Sequence, residues 1–108
     1  MSGFVDYLKE VFSSLGTISS RKMFGGYGIY HDGSMFGLVA DDTLYLKVDK
    51  ETIPEFEAKG LTPFEYAKGN KLVKMSYYLA PEEALENPEE AEYWARIAYS
   101  AALRVKKT

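Results

Sequence analysis

The sequence predicts an α+β domain: an antiparallel five-stranded sheet with helices packed mainly on one face, in the order α-β-β-β-α-β-β-α-α. Three observations predict it. Apolar residues recur with the helical period at both ends of the chain and with period two between Arg21 and Asp49. Turn residues arrive at short intervals inside that middle stretch, as antiparallel meanders require. No strand–helix–strand alternation runs long enough for a doubly wound parallel sheet.

Phe4, Leu8, Val11, Phe12 and Leu15 share one helical face, with Asp6, Lys9, Glu10 and Ser13 on the other, so a helix is expected from about Ser2 to Ser14. Gly16 follows, where a left-handed C-terminal residue favours glycine. Tyr27-Gly28-Ile29-Tyr30 and Met35-Phe36-Gly37-Leu38-Val39 flank His31-Asp32-Gly33-Ser34, and Asp-Gly between two such runs is a strong hairpin signal. A second turn is read at Asp41-Asp42. After it Leu44, Leu46 and Val48 alternate with Tyr45, Lys47 and Asp49, which completes a three-stranded meander with one face buried.

Thr52, Pro54 and Gly60 mark a short connecting helix with a capping residue, an early proline and a glycine stop. Phe64-Glu65-Tyr66 and Leu72 to Leu79 are read as two more strands around the turn Lys68-Gly69-Asn70-Lys71. Ala80-Pro81-Glu82-Glu83 and Asn87-Pro88-Glu89-Glu90 place proline and then acids where helices begin. The second of these helices carries the stripe Ala91, Trp94, Ala95, Ala98, Ala101, Ala102 and Val105 and ends in Arg104, Lys106 and Lys107. It is expected to lie across the sheet with Trp94 as an anchor.

With 108 residues, 46% hydrophobic and 27% charged, the chain has the size and make-up of one globular domain, residues 1–108. No apolar run approaches the roughly 20 residues that span a bilayer, and Met1-Ser2-Gly3-Phe4-Val5-Asp6 lacks the basic start and apolar stretch of a signal peptide. A cytoplasmic protein without a membrane partner is expected. Cysteine is absent, which excludes disulfides, thiol catalysis and thiolate metal sites. The net charge of −3 gives the molecule as a whole no attraction for phosphate backbones, although a local basic patch is compatible with it.

Arg21-Lys22-Met23-Phe24-Gly25-Gly26-Tyr27-Gly28-Ile29-Tyr30, Met35-Phe36-Gly37-Leu38-Val39 and Leu44-Tyr45-Leu46-Lys47-Val48-Asp49 are followed by Pro63-Phe64-Glu65-Tyr66, Met75-Ser76-Tyr77-Tyr78-Leu79-Ala80-Pro81 and Trp94-Ala95. In that order they resemble the TfoX (Sxy) N-terminal domain family over nearly the whole chain. The resemblance implies an α+β fold similar to secretion-chaperone-like domains and a role linked to the regulation of natural competence. Full-length members carry a C-terminal helical domain, and since this chain stops at Thr108 a stand-alone member is expected. The family supplies no catalytic residues to carry over.

Arg21, Lys22, Phe24, Gly25 and Gly26 are the strongest local candidates for a binding site, since two cations precede an aromatic residue and a Gly-Gly pair whose backbone can approach an anionic ligand. The structural reading, a bend in a twisted strand with solvated cations, is the favoured one, because a nucleotide loop would lead into a helix. His31 is read as an exposed turn residue. Neither a catalytic set nor a metal or cofactor site is expected around it or around the adjacent acids.

Nine tyrosines, of which Tyr27, Tyr30, Tyr45, Tyr66, Tyr77 and Tyr78 fall on predicted strands, offer a second candidate, a stacking platform represented by Tyr45 and Tyr77, which becomes basic as well as aromatic if Lys47, Lys71 and Lys74 lie beside its outward rings. Sheet propensity alone also explains strand aromatics. The expected function is a regulatory, non-catalytic protein-interaction module with an unidentified protein partner. The alternative is a nucleic-acid-binding domain using an aromatic and basic sheet face. A homodimer through a sheet edge is also expected.

Overall fold

A computed structural model describes residues 3–23 and 25–106, with side chains up to residue 105. Helix α1 (Gly3–Val11) and a 3-10 turn (Ser13–Leu15) lead into four strands: β1 (Ile18–Met23), β2 (Gly26–His31), β3 (Ser34–Ala40) and β4 (Thr43–Lys47). Helix α2 (Ile53–Ala58) connects to β5 (Pro63–Lys68) and β6 (Lys71–Leu79), and α3 (Glu83–Glu86) and α4 (Pro88–Lys106) follow. The strands form one sheet in the order β1-β2-β3-β4-β6-β5, and every neighbouring pair is antiparallel.

The sheet has six strands where five were expected, and the addition is β1. Ile18 is its one buried residue, and the other five are at least partly exposed, so no apolar alternation announces it. It is a strand because its backbone finds partners on β2, from Ile18 opposite His31 to Met23 opposite Gly26. As an edge strand it needs only one residue in the core.

Local chemistry fixes the element ends. Gly16 has φ +134, and a Cβ there would lie 2.4 Å from Cε1 of His31, so both backbone and space demand glycine. At α2 the expected cap, Thr52, makes no side-chain capping bond. Asp49 stands in: its Oδ1 accepts the N–H groups of Glu51 at 3.1 Å and Thr52 at 3.2 Å, while Thr52 Oγ1 accepts the N–H of Asp49 at 3.1 Å. Pro88 opens α4, and Asn87 Oδ1 accepts the N–H groups of Glu89 and Glu90 at 2.9 and 3.2 Å.

The core lies between the helices and one face of the sheet. Val5, Leu8 and Phe12 meet Ile18, Ile29, Phe36, Val39, Leu44, Leu46, Val48 and Tyr78, with Phe56 and the alanine stripe of α4 above them. Trp94 is 3% exposed; its ring packs edge-on to Phe56 at 5.0 Å and its indole N–H donates to Glu90 Oε1 at 3.1 Å. These contacts make it the expected anchor. The far end of α4 is tied down by Arg104, whose Nη2 donates to Asp49 Oδ1 at 3.1 Å.

A bulge interrupts the β2–β3 ladder. The register slips between Ile29 opposite Gly37 and Tyr30 opposite Met35, which leaves Phe36 as an extra residue in β3. Phe36 turns to the helix side, where its ring meets Phe12 at 5.8 Å and Tyr99 at 6.3 Å.

Candidate functional site

Side chains alternate across a pleated sheet, so the strand residues absent from the core define a second face. Leu44 and Leu46 point to the helices, which sends Tyr45 and Lys47 the other way. Cross-strand partners share a face, so Leu38 and Leu79 join Tyr45, and Tyr77 joins Lys47. On β1, Ile18 is in the core and Arg21 and Met23 are on the opposite face, beside Gly28, Tyr30 and Met35. Contacts agree with this reading: the Arg21 guanidinium lies 5.4 Å from the Tyr30 ring centroid and the Lys47 ammonium 5.0 Å from that of Tyr77.

The face continues onto β5. Phe64 touches Tyr45 with ring centroids 4.8 Å apart and lies at 26° to Tyr66, so Phe64 and Tyr66 share the side of Tyr45 and Lys68 follows by alternation. Lys71 is opposite Lys68. Glu65, the one strand carboxylate, therefore points to the helix side, where Lys74 opposite it comes to 4.0 Å. Four cations, Arg21, Lys47, Lys68 and Lys71, share a face with Tyr30, Tyr45, Phe64, Tyr66 and Tyr77 and with no strand Asp or Glu.

Charge is sorted across the molecule. The strands carry six cations against one carboxylate, and the helices nine carboxylates against four cations. A chain of net charge −3 thus has a basic side.

Gly28 would place a Cβ 2.9 Å from Met23 Cε and from Tyr30 Cε1 and 3.0 Å from Met35 Sδ, so its missing side chain lets those three close over the sheet. Tyr77 is 6% exposed and its hydroxyl donates to the Met35 carbonyl at 3.5 Å. Burial, with a smaller contribution from Tyr30, pushes the Tyr77 phenol up to about 12. Burial also lowers the Lys47 ammonium, against the attraction of Asp49. Where the face meets the last turns of α4, a hollow of about 300 Å³ is lined by Tyr30, Met35, Lys47, Tyr77, Ala102 and Val105.

Of the candidates read from the sequence, Arg21, Tyr45, Lys47 and Tyr77 come together here. Lys22 alternates to the other side of β1, and Phe24 lies outside the described residues. Gly25 turns the chain with φ +75, and a Cβ on Gly26 would sit 1.9 Å from the Val39 carbonyl oxygen, so this pair serves a tight turn and a close backbone approach. Tyr30 and Tyr66, two of the six strand tyrosines, stand on this face as well, while Tyr27 and Tyr78 turn to the core; Phe64 and Lys68 were missed, because β5 places no residue in the core against which its alternation could be read. His31 departs from its expected exposure: its side chain is 13% exposed, Nδ1 lies 2.9 Å from the Thr17 carbonyl, and the ring packs edge-on to Tyr99 at 5.0 Å.

Among the described residues no helix is long and apolar enough to cross a membrane, and no group of three or more His, Cys, Asp or Glu side chains could hold a metal ion.

By its fold the protein falls in the α+β class, with helices over one face of an antiparallel sheet and with cations and aromatic rings on the other. Within it, this chain belongs to the TfoX N-terminal domain family, whose model matches residues 10–102. It is 32% identical over 75 residues to the DNA transformation protein TfoX1 of Aliivibrio fischeri, covering 69% of this chain and 34% of that protein. Over 100 residues it is 28% identical to Protein Sxy of Escherichia coli, covering 93% of this chain and 48% of the relative. The chain thus spans about a third to a half of the length of these relatives.

Proposed function

We propose that this chain is a regulatory binding module, not an enzyme, and that its working surface is the bare sheet face. The observation that carries the reading is the sorting of charge: cations and rings gather on a face whose strands contribute no carboxylate, with Asp49, just past β4, held by Arg104, in a chain that is negative overall. Its ligand is an anionic macromolecule. A catalytic role lacks a starting point, because the one imidazole, His31, is packed between the Thr17 carbonyl and Tyr99. Kinship with a protein named for DNA transformation supports regulation of competence as the setting.

The test is recovery of tagged protein from its native cell, as wild type and as the double variant Arg21→Glu with Lys47→Glu. The wild type should retain a defined partner and the variant should lose it, with the circular dichroism spectrum unchanged. A variant that keeps every partner assigns the working surface elsewhere.

A further inference from the structure

We infer that the bare face takes single-stranded nucleic acid, an inference that rests on that face being the working surface and names its ligand. Three features carry it. The rings of Tyr45, Phe64 and Tyr66 form a continuous row over β4, β6 and β5, all three part-exposed, and every base has a π-face that can stack on such rings. The cations run from one side of the sheet to the other, with Arg21 on β1, Lys47 on β4, and Lys68 and Lys71 at the β5–β6 turn. Five strand spacings of about 4.8 Å make this span about 24 Å wide, enough for a backbone of about four extended nucleotides.

Other anions fit less of the surface. An extended acidic peptide docks on a sheet edge or in a groove, and against an open face it would leave the row of rings unused. Duplex nucleic acid is read by an element that enters a groove, and its stacked bases cannot meet the rings. Unpaired bases use the rings while their phosphates use the cations.

The experiment is fluorescence anisotropy on the full chain with four labelled probes: a twelve-nucleotide oligothymidylate, the same strand made abasic, a duplex of equal length, and a twelve-residue polyglutamate. The oligothymidylate should bind at least about tenfold more tightly than the other three. Its affinity should fall by up to about fiftyfold from 50 to 200 mM salt, the limit for four neutralised phosphates on a single strand. Tyr45→Ala should weaken oligothymidylate about tenfold and leave the abasic strand unchanged, and Lys71→Glu, at the exposed first residue of β6 and away from the core, should weaken both strands alike.

Equal binding of the abasic strand, or tighter binding of the duplex, overturns the inference. Tighter binding of polyglutamate that is lost in the Arg21→Glu, Lys47→Glu double variant overturns the ligand and leaves the working surface standing. Oligothymidylate binding that survives the double variant overturns both. Binding of none of the probes overturns the ligand alone, and partner recovery then decides the surface.

Discussion

Tyr77 concentrates the physics of the bare face in one side chain. Its phenol lies under the Lys47 ammonium and is nearly out of water, which holds its ionisation near 12 where an unfolded tyrosine ionises near 10. Between those values the unfolded chain has lost a proton that the folded chain keeps, so stability falls as pH rises; below pH 10 the contribution is fully present. Two units correspond to about 2–3 kcal/mol. Lys47, lowered by burial, contributes with the opposite sign and is common to wild type and Tyr77→Phe, so the difference between them isolates the phenol. Guanidinium unfolding from pH 9.5 to 12 should show the wild type losing about 2–3 kcal/mol more than Tyr77→Phe; parallel curves would remove the claim. The sequence displayed the tyrosines and lysines, but their side of the sheet depends on register. Lys71 and Lys74 look alike in the chain, yet three positions apart on one strand they face opposite ways, and only pairing with Lys68 and Glu65 decides which joins the rings.

At the scale of elements, the β5–β6 ribbon differs from the rest of the sheet. β6 pairs with β4 only from Tyr77 to Leu79, so its first half has β5 as its one partner in the sheet, and β5 contributes no buried residue to the core cluster. Leu72, 72% exposed, is the most exposed large apolar residue among the described residues. Amides of Ala67 to Val73 should therefore exchange at least about a hundredfold faster than those of β2 and β3, measured by native-state hydrogen exchange at fixed pH; equal protection would mean that the ribbon opens only with the whole fold. The two-period strands, the Asp-Gly hairpin and the proline-led α4 were legible because each has a local signal. β1 was not: Ile18-Ser19-Ser20-Arg21-Lys22-Met23 has one core position in six, and its identity comes from β2. Phe36 escaped for a related reason, since a bulge breaks the alternation by which strand faces are counted.

The molecule as a whole should unfold as one unit, because a single core cluster draws on all four helices and on five of the six strands. Trp94 sits between α4 and Phe56 of α2, so Trp94→Ala should cost about 3–5 kcal/mol and shift far-ultraviolet circular dichroism and tyrosine fluorescence by the same amount. Separate shifts would show that the helical layer melts without the sheet. The layer that fills the core is also the one that carries the acids, and the strands it covers carry the bases. Such an arrangement is an electric dipole set across the sheet plane and superposed on a small negative monopole. A distant polyanion repels the monopole, while at closer range the dipole exerts a torque that turns the strands toward it. Salt screens the long-range repulsion first and the short-range attraction later, so the rate of encounter with any polyanion passes through a maximum as ionic strength increases.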